Sequence, residues 1–216
     1  MYDVILFDLD GTLTDSGLGI TNSVAYSLRK YKIEVNDRTE LYKFIGPPLK
    51  ESFEKYYGFS AEEAAKAVEY YREYYVDKGL FENAVYDGIE ELLRTIRDSG
   101  KTAIVATSKP EIFAKRILEH FGIAKYFTYI AGANMDETRT KKDEVISYVL
   151  HNCNIPAHSK VLMVGDREHD ILGAKKMGLD SLGVLFGYGD YEELKNAGAT
   201  YIAENVKDIY PVIFES

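Results

Sequence analysis

Five short apolar runs punctuate the chain, each ending at a polar or glycine-rich turn. They are Val4–Phe7, Ala103–Ala106, Phe127–Ala131, Val161–Val164 and Ser181–Leu185. Continuous runs rich in β-branched residues, with no polar alternation, predict strands buried on both faces of a parallel sheet. Helical periodicity fills the gaps between the later runs. Ile89, Leu92, Leu93 and Ile96 repeat at i, i+3, i+4 and i+7, with Gly100 placed to stop the helix. Pro110 fits a first helical turn; Phe113, Ile117 and Phe121 follow on one face, and Gly122 ends it. The segments 144–151 and 170–177 read as two more helices, the second stopped by Gly178. Strand, helix and strand repeated in this way predict a doubly wound α/β domain.

Residues 16–82 break the rhythm. Ile20, Val24, Leu28 and Tyr31, then Phe53, Tyr56 and Tyr57, then the segment from Ala64 to Tyr75, all keep a helical period, with no clear strand among them. This predicts a helical insertion, so that residues 1–15 and 83–216 form the α/β core and residues 16–82 a second, helical domain. Tyr70, Tyr71, Tyr74 and Tyr75 share one helix face and are expected to pack within the insertion or against a partner, with a ligand-facing role as the alternative.

At 216 residues, 46% hydrophobic and 28% charged, the chain is long enough for a full core and has the profile of a soluble globular protein. The first apolar run is too short for a signal sequence or a membrane span, and Asp3 stands where a signal would carry positive charge; a cytoplasmic protein with no membrane role is expected. The single cysteine, Cys153, excludes an internal disulfide and a cysteine zinc cluster. The net charge of −9 argues against a nucleic-acid backbone as partner.

In parallel α/β sheets ligands bind beyond the carboxyl ends of the strands, so the residues just past each run carry the chemistry. Asp8-Leu9-Asp10-Gly11-Thr12 follows the first run, Thr107-Ser108-Lys109 the second, and Gly165-Asp166-Arg167-Glu168-His169-Asp170 the fourth. Asp8, Asp10 and Asp166 are expected at one sheet edge. Clustered carboxylates are costly without a cation, and hard oxygen donors point to Mg2+. Asp8 is placed to attack phosphorus, and Asp10 to act as general acid and then base. Thr107 with Lys142, or with Lys141, offers the positive field that a phosphate would need in so acidic a chain. Asp170 is expected to orient the metal shell or the lysine.

Phe7-Asp8-Leu9-Asp10-Gly11-Thr12-Leu13, Thr107 with Ser108 beside it, and Gly165-Asp166 with Asp170 resemble the motifs of the haloacid dehalogenase superfamily over essentially the whole chain. The lysine of its third motif has two candidates, Lys141 and Lys142; Lys142, directly before Asp143-Glu144-Val145-Ile146, is preferred. The resemblance implies a Rossmann-like core with a mobile helical cap, nucleophile Asp8, acid–base Asp10, and Mg2+ held by Asp8, the Asp10 backbone carbonyl and Asp166. Thr107, Ser108 and Lys142 are the phosphate-binding candidates. An acid at position 10 favours phosphatases and phosphomutases, and, within the phosphatases, Thr12–Ser16, Ile45-Gly46-Pro47-Pro48-Leu49 and Tyr86-Asp87-Gly88 look like the phosphoglycolate phosphatase group. Gly46 and Pro47 are candidates for the substrate side of the cap, and Arg167 for a substrate or interdomain contact. The expected partner is a small phosphorylated metabolite, acted on by a monomer or homodimer. The alternatives are a nucleoside monophosphatase, a pyrophosphatase, a sugar phosphomutase and a catalytically silent scaffold.

Overall fold

The computed structural model describes residues 1–136, 138–153, 155–156 and 159–215. The chain divides into two compact units, one of Met1–Thr14 with Val85–Ser216 and one of Asp15–Ala84.

The chain starts with β1 (Val4–Phe7), and the two-residue strand β2 (Thr14–Asp15) leads into the helical unit. That unit contains α1 (Gly17–Lys30), a 3₁₀ turn (Arg38–Phe44), α2 (Leu49–Tyr57), α3 (Ala61–Tyr74) and a π turn (Tyr75–Gly79). After β3 (Ala84–Val85) the α/β unit resumes with α4 (Ile89–Asp98), β4 (Thr102–Pro110), α5 (Glu111–His120) and β5 (Tyr129–Ala133). It continues with α6 (Lys142–Asn152), β6 (Val161–Gly165), α7 (Glu168–Lys176), β7 (Asp180–Val184), α8 (Tyr191–Ala197), β8 (Tyr201–Ala203) and α9 (Ile209–Phe214).

Six strands form one parallel sheet in the order β5-β4-β1-β6-β7-β8. β1 lies between β4 and β6, with Phe7 opposite Val105 and Val164, and every residue of it is buried. A strand enclosed on both edges and both faces has no position for a polar side chain, which is why Val4–Phe7 is uniformly apolar. Val4, Leu6, Ile104, Met163, Val145, Ile146 and Val149 pack into the core beneath α6.

The short elements β2, β3, α8 and α9 are not among those the sequence pattern predicts, and two further details differ from it. β8 has no counterpart among the predicted runs: it is three residues long at the sheet edge, too short for a periodic signal. β4 also runs past Ala106, carrying Thr107-Ser108-Lys109 inside the strand rather than after it. Its pairing with β5 shifts register between Ala106 and Pro110, and the Lys109 N–H turns back onto Thr107 Oγ1 at 3.2 Å.

The helical unit has its own core. Ile20, Val24 and Leu28 of α1 are buried, as are Phe44, Phe53, Ala64, Ala67 and Val68. Aromatic rings fill much of it: Phe44 and Phe53 lie 5.0 Å apart, Phe53 stacks on Phe59, and Tyr71 stacks on Tyr75 at 5.1 Å. Tyr70 and Tyr74 pack against Tyr31 and Tyr26, so all four clustered tyrosines contact neighbours within this unit. Among the described residues no helix is long and apolar enough to cross a membrane.

Candidate active site

β1 ends in a tight turn. The Leu9 carbonyl accepts hydrogen bonds from the N–H groups of Thr12, Leu13 and Thr14, and the Gly11 N–H donates to the Thr14 carbonyl at 2.8 Å. Gly11 takes φ +82°, and a Cβ there would lie 2.2 Å from Asp166 Oδ2. A side chain at position 11 would therefore be strained and would also displace Asp166. Thus the glycine of the first motif makes room for the acid of the fourth.

Asp8, Asp166 and Asp170 are buried, and one carboxylate oxygen from each lies within 4.8 Å of the others. Asp8 directly follows β1, Asp166 directly follows β6, and the first turn of α7 supplies Asp170. Asp166 accepts from the Tyr188 N–H at 2.8 Å and from the Thr12 hydroxyl at 3.2 Å. Asp170 accepts from the Arg167 N–H at 3.1 Å.

Lys142, at the start of α6, enters the cluster. Its Nζ lies 2.7 Å from Asp8 Oδ1 and 2.8 Å from Asp170 Oδ1, and it donates to the Ala106 carbonyl at 2.9 Å. Lys142 is buried, whereas Lys141 caps the same helix from an exposed position. Of the two lysines, Lys142 is the one in the carboxylate cluster.

Burial pushes the Asp166 carboxyl well above the usual carboxylate range, and the charges of Asp170 and Asp8 add to the effect. Asp170 is pushed up to about 6 by burial and by Asp8, against the opposing pull of Lys142. Burial works against the Lys142 ammonium, but Asp170 and Asp8 outweigh it and hold the ammonium firmly protonated. When fully ionised, three carboxylates against one ammonium leave two negative charges in a buried space. An all-oxygen donor set with that excess fits a hard divalent cation.

The remaining candidates are spread more widely. Asp10 stands apart from the cluster; its carboxylate pairs with Lys109, Nζ to Oδ2 at 2.8 Å. Thr107 is buried, and Ser108 next to it is half-buried. The Arg167 side chain engages Glu193 at 2.8 Å. Gly46 and Pro47 belong to the helical unit, just before the Pro48 cap of α2. His169 is partly buried, which lowers its pKa. The sequence pattern does not single out Lys109, because a lysine in a Thr-Ser-Lys segment carries no sign of its direction; a bulge at the strand end supplies it. The pattern also gives Asp170 a supporting place, whereas the structure sets its carboxylate among the clustered oxygens.

The family model of haloacid dehalogenase-like hydrolases matches residues 5–184. A 5'-nucleotidase of Pseudomonas aeruginosa is 43% identical over 212 residues, covering 98% of this chain and 96% of the relative. A phosphoglycolate phosphatase of Vibrio parahaemolyticus is 29% identical over 218 residues, covering 97% and 95%. Among solved structures, that of a predicted phosphatase from Clostridium acetobutylicum superposes with a TM-score of 0.96 at 52% identity, covering the whole of both chains.

Proposed function

The chain belongs to the haloacid dehalogenase-like hydrolase family and is a phosphatase, and we propose that it hydrolyses a small phosphate monoester through an aspartyl-phosphate on Asp8. The observation that carries this reading is the buried Asp8, at the carboxyl end of the central strand, held against Lys142 within a cluster of three acids. Mg2+ is the proposed cation, held by Asp8, Asp166 and the Asp10 backbone carbonyl with Asp170 beside them; when bound it would offset charge on the phosphoryl oxygens.

The residues then divide the work. An Asp8 oxygen forms a bond to phosphorus as the ester P–O bond breaks, and Asp10 gives a proton to the departing oxygen. The Thr107 hydroxyl and the Lys142 ammonium hold the phosphoryl oxygens, with Ser108 beside them. In the second half, Asp10 takes a proton from water as the water oxygen attacks phosphorus. The bond to Asp8 breaks, inorganic phosphate leaves and both aspartates are restored. The helical unit is proposed as a cap that selects the organic group, with Gly46 and Pro47 on its substrate side.

The two phosphatase relatives point to two substrate classes, a phosphoglycolate-like small acid and a nucleoside 5'-monophosphate. The higher identity to the 5'-nucleotidase, 43% against 29%, favours the nucleotide. Phosphate release from a panel containing phosphoglycolate, nucleoside monophosphates, sugar phosphates and pyrophosphate, with Mg2+ against EDTA, tests both levels. Release that requires Mg2+ supports the mechanism, and the best ester identifies the class. Equal release in EDTA would overturn the metal-dependent reading.

A further inference from the structure

Lys109 is a charged group beside the site with no task in the proposed mechanism. Its Nζ lies 2.8 Å from Asp10 Oδ2, with the two side chains only 6% and 10% exposed. The other oxygen of Asp10, Oδ1, is buried and has no hydrogen-bond partner among the described residues. Lys109 therefore sets the orientation of this carboxylate.

The backbone is built to present that lysine. The register shift at the end of β4 and the bond from the Lys109 N–H to Thr107 Oγ1 turn the strand locally. On the neighbouring strand, Gly132 lets the Lys109 carbonyl approach so closely that a Cβ would meet it at 2.4 Å. Thr107, the phosphate-binding candidate, and Lys109 thus leave the same bulge with their spacing held. Burying an ion pair costs desolvation that the pairing seldom returns in stability, so its retention beside the acid–base residue points to a task in the reaction.

We propose that Lys109 is a positioning residue for the proton transfers of Asp10: its ammonium anchors one carboxylate oxygen so that the other stays directed for giving a proton to the leaving oxygen and taking one from water. The role rests on the acid–base reading of Asp10. Misplacing a catalytic group by about 1 Å costs about 10²-fold in rate, which sets the expected scale.

The test compares an alkyl phosphate, whose leaving oxygen must be protonated, with p-nitrophenyl phosphate, whose leaving group departs as an anion. Lys109→Met should slow kcat on the alkyl ester by about 10²-fold with little change in KM. On p-nitrophenyl phosphate it should give a stoichiometric burst of nitrophenolate followed by slow turnover, because only the water-activating half remains impaired. In an Asp10→Asn background the same substitution should have almost no further effect. If Lys109→Met does not fold, Lys109→Gln serves in its place. Equal losses on both esters with no burst, or the full loss persisting in Asp10→Asn, would overturn the role and make Lys109 a binding or structural group. Loss in Asp10→Asn with none in Lys109→Met would overturn the Lys109 role alone. Full turnover in Asp10→Asn would remove the acid–base reading, and this role with it.

Discussion

Both units carry exposed ion pairs, but among the described residues only the α/β unit also buries charge. In the helical unit, the ion pairs Lys30–Glu73 and Lys66–Glu69 lie in solvent, with side chains 41% to 62% exposed. Its buried polar residues carry hydroxyls; those of Thr21, Ser23 and Ser27 donate to backbone carbonyls, whereas that of Ser16 has no partner among the described residues. In the α/β unit, Asp8, Asp10, Lys142, Asp166 and Asp170 are all buried; among the described residues every buried charged residue belongs to this unit. Exposed pairs contribute about 0–1 kcal/mol and cost little to keep or lose. Buried ones carry a desolvation penalty of several kcal/mol per ion. A chain that confines such costs to one strand edge marks that edge as the place of chemistry.

The contrast is broken most severely at the nucleophile. Asp8→Asn should abolish phosphate release, by roughly 10⁶-fold if it behaves as other covalent nucleophiles do, while circular dichroism stays unchanged. Normal turnover in that variant would sink the mechanism.

Lys142→Met removes the cluster's ammonium and leaves Asp8 and Asp170 without compensation. Urea denaturation in EDTA should show a loss of about 3–5 kcal/mol, the usual cost of orphaning a buried charge. An unchanged midpoint would mean that the carboxylates are already neutral.

A pH series sharpens the comparison further. Asp170 moves from 3.8 to about 6 in the folded protein, so between those values the native state holds a proton that the unfolded chain has lost. The contribution of this group to metal-free stability is therefore full below pH 4 and lost as pH rises through 6. Cation binding must expel the same proton, so Mg2+ affinity should strengthen across that window, with proton release detectable by calorimetry in buffers of different ionisation heat. Asp170→Asn should remove the part of both dependences that falls in this window and leave that of Asp166; a wild-type affinity independent of pH would contradict the assignment.

The smallest effect belongs to the other unit. Ser60 caps α3, accepting from the Glu63 N–H at 3.2 Å while Glu63 accepts from the Ser60 N–H at 2.9 Å. Ser60→Ala should cost about 1 kcal/mol in thermal unfolding with no change in burst amplitude or kcat.

How much of the fold and the site is legible in the sequence varies residue by residue. Asp8 and Asp10 are readable because they come directly after an apolar run that has to be a buried strand, and the carboxyl end of a parallel strand faces the ligand edge. Lys142 is readable as the lysine directly before a helix start, although nothing local separates it from Lys141. Lys109 and the grouping of Asp170 with Asp8 and Asp166 are not, because each depends on a direction: a bulge turns one side chain, and the first turn of α7 delivers the other. β8 stays hidden because three edge residues carry no period.

Local periodicity thus determined the longer buried strands, the helices between them and the helical insertion, and so located the acids at the strand ends, since burial on two faces or one constrains every residue of such an element. Tertiary structure alone decided which charges meet. Strands that begin at Val4, Thr102 and Val161 become neighbours, and the desolvation they share raises Asp166 and Asp170 and draws in Lys142. A carboxylate's energy depends on distances to atoms far away in sequence, and no pattern of neighbours along the chain encodes those distances.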